Sequence, residues 1–137
     1  MVGIDAANSE ILCRPEVFAT AFRFLNAHKI TMRETECPKD LGLTYHVGED
    51  FYDIADGLRA VDEVLEFLQF RNGSRLGHAL VLGTDVHTYY KSRNYRINIT
   101  RQVLLDNVAW LYIRGEHLGV SVQISSYLHE IFYHYYE

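Results

Sequence analysis

The sequence predicts an α/β fold, and three observations predict it. Short apolar runs alternate with longer stretches of helical periodicity over residues 1 to 82, in the order strand, helix, strand, helix, strand. Each strand is joined to the next by a helix-length crossover, which calls for parallel strands with right-handed connections. After residue 83 the chain changes character, to a polar and aromatic stretch and then to two further helical patterns.

The elements follow in order. Residues Met1 to Ile4 are apolar and meet Asp5 directly, as a buried strand entering a loop does. Pro15 opens a helix whose apolar positions are Val17, Phe18, Ala21, Phe22 and Leu25. Met32 to Asp40 is charged and reads as a loop, and Leu41 to Val47 as the second strand. Asp53 to Phe70 is the clearest helix, with Ile54, Leu58, Val61, Val64, Leu65 and Leu68 inward and Asn72-Gly73 as its stop. Arg59 and Asp62 belong to its solvated or inter-element face. Arg75 to Leu82 is the third strand, and Thr84 to Ile99 is expected to be irregular. Thr100 or Asn98 caps a helix to about His117, which Gly119 breaks. Val120 to Tyr136 is a last helix, with a strand start over Val120 to Ile124 as the alternative. Residues 1–83 and 84–137 are thus expected as two portions. The tyrosines near the end (Tyr127, Tyr133, Tyr135, Tyr136) suit a packing or oligomer surface.

Composition narrows the function. Of the 137 residues, 48% are hydrophobic and 23% charged, which suits a globular chain. A formal charge of −5 argues against a general nucleic-acid binder. Lys91, Arg93, Arg96 and Arg101 form a local basic patch, read first as a solvated face and second as a phosphate contact. Cys13 and Cys37 are too few for a disulfide framework and fit a cytoplasmic location. No apolar run approaches the roughly 18 residues of a membrane span, and no signal peptide pattern is present. The absence of Gly-x-Gly-x-x-Gly disfavours a small Rossmann-like domain.

Polar residues gather at the predicted strand ends. Asp5, Asn8 and Glu10 follow the first strand, His46 to Asp50 end the second, and Arg75 and His78 lie in the third. In parallel α/β folds the C-terminal strand ends form one rim, where ligands bind. His46, Glu49 and His78 are therefore expected to face one pocket. Two imidazoles and a carboxylic acid suit metal-assisted hydrolysis. Each also has a plain structural reading: Glu49 and Asp50 favour a helix start, Gly48 a turn, and Asp53 an N-cap.

These segments resemble known motifs. VGIDAANSE is similar to the fourth-strand motif of adenosine deaminases, TYHVGE to their fifth-strand His-Ala-Gly-Glu, and RLGHAL to their sixth-strand Arg-Ile-Gly-His-Gly. The longer run HVGEDFYDIADGLRAVDE, with RLGHALVLGTD and LLDNVAWLY, resembles the large divergent adenosine-deaminase-like proteins of bacteria. That branch includes the deaminase subunit of an antiphage defence system that works beside an ATPase. The resemblance covers residues 1 to about 119. It implies strands 4–6 of a (β/α)8 barrel with their helices, followed by a helical C-terminal segment.

The same resemblance implies roles. His46 would bind zinc. Glu49 would protonate purine N1 as hydroxide adds to C6, and His78 would orient or deprotonate the attacking water. Asp5, Asn8 and Gly48 would touch substrate, with Asn8 standing where the family has a glycine. The substrate would be adenosine or an adenine nucleotide, and the product ammonia and the 6-oxo base. The family's first-strand His-x-His and eighth-strand aspartate have no counterpart here. A full barrel takes about 250 residues, so the chain is expected to be a fragment. It is expected to be inactive alone and to self-associate or join a complementing chain. The alternative is a noncatalytic interaction or oligomerisation module derived from such a barrel.

Overall fold

The computed structural model describes residues 3–7, 9–27, 29–30 and 39–137, with the backbone alone at 29–30 and 39–40. It is an α/β fold. Strand β1 (Gly3–Ala6) leads through a 3-10 turn (Pro15–Phe18) into helix α1 (Ala19–Asn26). Two-residue strands β2 (Lys29–Ile30) and β3 (Lys39–Asp40) pair antiparallel. Then come β4 (Gly42–Val47), α2 (Ile54–Phe67), β5 (Arg75–His78), a second 3-10 turn (Leu80–Gly83), α3 (Val86–Ser92), α4 (Arg101–Leu118) and α5 (Val122–Tyr136).

The principal sheet has the order β1-β4-β5, and both pairings are parallel. Its register decides what shares a face. Ile4 pairs with Leu43 and Ala6 with Tyr45, while Tyr45 pairs with Leu76. Side chains alternate along a strand, so these residues lie on one side of the sheet. There Leu43, Tyr45 and Val47 are buried with Ile54, Val61 and Val64 of α2 and with Leu68 just beyond it. Val64 and Leu68 are fully buried. Thr44 and His46 fall on the opposite side, as does Asp5, the register partner of Thr44.

Several expectations change. Asp5 lies inside β1 rather than after it. Pro15 starts a 3-10 turn rather than the α-helix itself, and Val17 is exposed. Helix α2 stops at Phe67, because Gln69 at φ +56° turns the chain before Asn72-Gly73 is reached. The third strand ends at His78, not Leu82, because His78 (φ +54°) and Ala79 (φ +49°) are left-handed and end the extended run. The stretch expected to be irregular holds α3, whose N-terminus is capped by Asp85 accepting the Thr88 N–H at 2.7 Å. Thr100 caps α4, accepting the Val103 N–H at 3.3 Å, and Gly119 (φ +69°) ends it. Val120 to Ile124 forms no strand: α5 begins at Val122.

Helix α4 joins α2 through polar contacts. Of the two faces expected for Arg59 and Asp62, the inter-element one is found, and Arg59 is 8% exposed. Its Nε donates to Asn107 at 2.9 Å, Nη1 to Glu63 at 2.6 Å and Nη2 to Asp56 at 3.3 Å. Arg14 closes the network on the same carboxylates, at 3.0 Å from Asp56 and 3.2 Å from Glu63. Asp62 accepts from Trp110 Nε1 at 2.7 Å and Arg114 Nε at 2.8 Å. Two cations against the buried carboxylate of Asp56 and the partly buried one of Glu63 nearly cancel, which is what burial of charge requires. No helix of the described residues is long and apolar enough to cross a membrane.

Candidate functional site

Four chemistry-bearing side chains meet at the C-terminal edge of the sheet. His46, near the end of β4, has its Nδ1 3.2 Å from Asp5 Oδ1 on β1. Its ring centroid is 5.2 Å from that of His78 at the end of β5. His78 Nε2 in turn is 3.3 Å from Glu49 Oε2. Asp5, His46, His78 and Glu49 thus form one line across all three strands. Register and backbone both produce it. Gly77 is the partner of His46, and a Cβ built there would fall 2.6 Å from His46 Cδ2. Only glycine leaves that space for the imidazole. Strict alternation would send His78 to the side of Val47, its register partner. Its left-handed φ breaks that alternation at the strand end.

The expected single pocket is resolved into two environments. A cavity of about 330 Å³ lies beside the end of β1, lined by Asp5, Ser9, Glu10, Cys13, Tyr45 and His46 among others. Glu49 and His78 are not part of that lining, and the His78 side chain is half exposed on the outer strand β5. Burial pushes the Tyr45 hydroxyl up to about 12, with smaller contributions from Cys13 and the nearby carboxylates Glu10 and Glu16. Tyr45 is therefore a neutral wall of this cavity near neutral pH. Gly48 is buried at φ +78°, its N–H donated to Glu10 and its carbonyl accepting from Val81 N–H at 2.8 Å. Asn8 and Cys37 lie outside the described residues.

Sequence reasoning gave Glu10 no role. Its buried carboxylate accepts from three consecutive backbone N–H groups: Gly48 at 2.6 Å, Glu49 at 3.0 Å and Asp50 at 3.3 Å. The available signal was a glycine followed by two acidic residues, whose amides need an acceptor at a turn. Farther along, Tyr90 donates its hydroxyl to Asp53 at 2.7 Å, which ties α3 to the start of α2. Lys91, Arg93, Arg96 and Arg101 are all exposed, and Arg93 sits 3.7 Å over the Tyr89 ring.

The zinc ligand expected at His46 can be tested against the donors present. A catalytic zinc takes three protein ligands and keeps one position open. Among the described residues no three of His, Cys, Asp and Glu gather where they could share a metal ion. His46 has its Nδ1 against Asp5, an orientation that leaves Nε2 free, but His78 faces Glu49. These residues by themselves do not make a zinc centre. What they offer is the Glu49 carboxyl group beside the His78 imidazole, and a second imidazole, His46, steered by Asp5.

No family model matches the chain, and no curated protein matches it.

Proposed function

We propose that this chain supplies the acid and imidazole side of a hydrolytic deaminase acting at C6 of an adenine nucleoside or nucleotide. The observation that carries the reading is the contact line of Asp5, His46, His78 and Glu49 along the C-terminal edge of a parallel sheet. Aromatic C6 is a poor electrophile until N1 is protonated. Glu49, as a carboxylic acid, would give that proton. His78, against Glu49, would accept the proton of the attacking water. His78 would pass that proton to the 6-amino group, which leaves C6 as ammonia, while the added hydroxyl returns its own proton to Glu49 and becomes the 6-oxo oxygen. Asp5 would fix the tautomer and direction of His46. Zinc belongs to this reading through the sequence resemblance; its remaining ligands would come from outside the described residues. The (β/α)8 barrel is part of the same proposal.

The experiment is binding first and turnover second. Purine riboside, titrated into labelled full chain, should shift the side-chain resonances of His46 and His78 and the amide of Glu49. Purified chain with zinc and adenosine or ATP should release no ammonia. Adding segments that supply His-x-His and the further aspartate should produce release. Absence of purine riboside shifts, together with silence after complementation, refutes the deaminase reading.

A second reading has its own observation. Helices α4 and α5 expose Ile113, Val122, Tyr127, Tyr133 and Tyr136. A cavity of about 220 Å³ between the two helices is lined by Val108, Tyr112, Leu128 and Phe132 among others. An interaction module pairing with a second copy through this hairpin would give a concentration-dependent mass in sedimentation, abolished by Tyr133→Glu. A monomer at all concentrations rules that reading out.

A further inference from the structure

Glu10 is 6% exposed, in the turn that follows β1. A buried carboxylate destabilises a fold unless donors match its oxygens. The donors here are backbone, and they are consecutive. Gly48 N–H donates to Oε2, and Glu49 and Asp50 N–H donate to Oε1. Successive amides turned to one side form a concavity for an anion. Gly48, at φ +78°, supplies the left-handed residue that such a turn uses, and a Cβ on it would fall 2.9 Å from Val81. The anion that fills this turn is thus a side chain of the protein itself. The same turn carries Glu49, whose Oε2 stands 3.3 Å from His78.

We infer that Glu10 is a positioning residue: by gathering the amides of residues 48–50 it sets where the Glu49 carboxyl meets His78. Glu10 touches neither substrate nor reacting atoms in this assignment. It acts through the backbone of the residue it holds. Its catalytic meaning rests on the reading of Glu49 as the acid of a deaminase, while the positioning itself does not. Charge-assisted hydrogen bonds to backbone N–H are among the stronger ones a fold contains. Three from one carboxylate leave the turn little freedom.

The test uses the labelled full chain without metal or substrate, so its failure and that of the deaminase reading are separable. In the wild type, the amides of Gly48, Glu49 and Asp50 should exchange with solvent at least about tenfold more slowly than exposed turn amides such as that of Asn72. Glu10→Gln should remove that protection while the amides of Val61 and Val64 in α2 keep theirs. At one fixed pH, Glu10→Gln and Glu49→Gln should each shift the His78 imidazole Nε2 resonance, and the double variant should shift it no further than Glu49→Gln alone. Free exchange of the three amides in the wild type overturns the inference without any variant. So does a His78 resonance unmoved by either substitution, or additive shifts in the double variant. Should Glu10→Gln also strip α2 of protection, Glu10→Asp takes its place, keeping the charge one methylene short. Weakened protection at residues 48–50 with a displaced His78 resonance then supports the inference, and an unmoved resonance overturns it.

Discussion

Gly77→Ala should disturb the site and the fold together. A Cβ on Gly77 would lie 2.6 Å from His46 Cδ2, 2.8 Å from Cγ and 2.9 Å from Nε2. Atoms in comfortable contact sit about 3.5–4.0 Å apart, so the ring must withdraw by about 1 Å. It cannot do so and keep its other contacts, with Asp5 at 3.2 Å and the His78 ring at 5.2 Å. Overpacking of this kind costs about 1–3 kcal/mol. Replacing a glycine returns about 0.4–1 kcal/mol by narrowing the unfolded ensemble. The expected net loss is about 0.5–2 kcal/mol. Urea unfolding followed by the fluorescence of Trp110, the one tryptophan of the chain, measures it. The His46 Cδ2–Hδ2 resonance reports the ring. Gly83→Ala is the control, since nothing lies within 4 Å of its added Cβ and its φ is not left-handed; it should gain about 0.4–1 kcal/mol on wild type, the unfolded-state term alone. A Gly77→Ala chain as stable as that control, with its His46 resonance unmoved, would refute the steric argument.

Other substitutions probe the frame around the site. Leu68→Ala removes a fully buried side chain and should cost about 2–5 kcal/mol by urea denaturation; a loss under 1 kcal/mol would mean that the core is looser than described. Trp110→Phe deletes the 2.7 Å hydrogen bond to Asp62 and should cost about 1.5–3 kcal/mol, read by circular dichroism. An unchanged midpoint would show that α4 does not depend on that contact. Burial raises the Glu63 carboxyl above its ordinary value of 4.5, against the opposing pull of Arg59 and Arg14. A carboxyl raised on folding binds more protons in the native chain, so its contribution is present below pH 4.5 and is lost as pH rises through the native value. Glu63→Gln, which mimics the protonated form, should therefore gain on wild type as pH rises above 4.5. A wild-type advantage that widens with pH would show the arginines prevailing over burial.

The order of strands and helices was legible because it depends on periodicity and crossover length, which neighbouring residues encode. The polar residues at the ends of β4 and β5 were legible for the same reason, since parallel strands place their C-termini on one rim. Helix α3 was missed because none of its residues is buried, so no apolar stripe marks it; the Asp85 cap was its only signal. The third strand was drawn too long because Ala79 to Leu82 is apolar, while the turn that ends it occurs at His78 and Ala79, neither of them glycine. The choice for Arg59 between a solvated and an inter-element face stayed open because Asn107, which accepts from its Nε, lies 48 positions away in the chain. Glu10 was named among the polar residues after the first strand but given no role, on similar grounds. Its three donors are 38 to 40 residues distant, and backbone N–H groups leave no mark in a sequence.

The tie between Glu10 and residues 48–50 also sets an order of events. Closing a loop of nearly forty residues costs chain entropy before any contact returns it. The turn bearing Glu49 therefore reaches its final form only after β1 has docked beside β4. The reverse holds on warming. Strand β1 is four residues long and pairs on one side only within the described sheet. It can peel away while Val64 and Leu68 stay packed between α2 and β4, since local opening needs far less free energy than global unfolding. Once β1 leaves, Asp5 and Glu10 leave with it, and His46 and Glu49 lose the groups that hold them. Heat would then take the contact line of Asp5, His46, His78 and Glu49 apart at a temperature below the one that melts the helices.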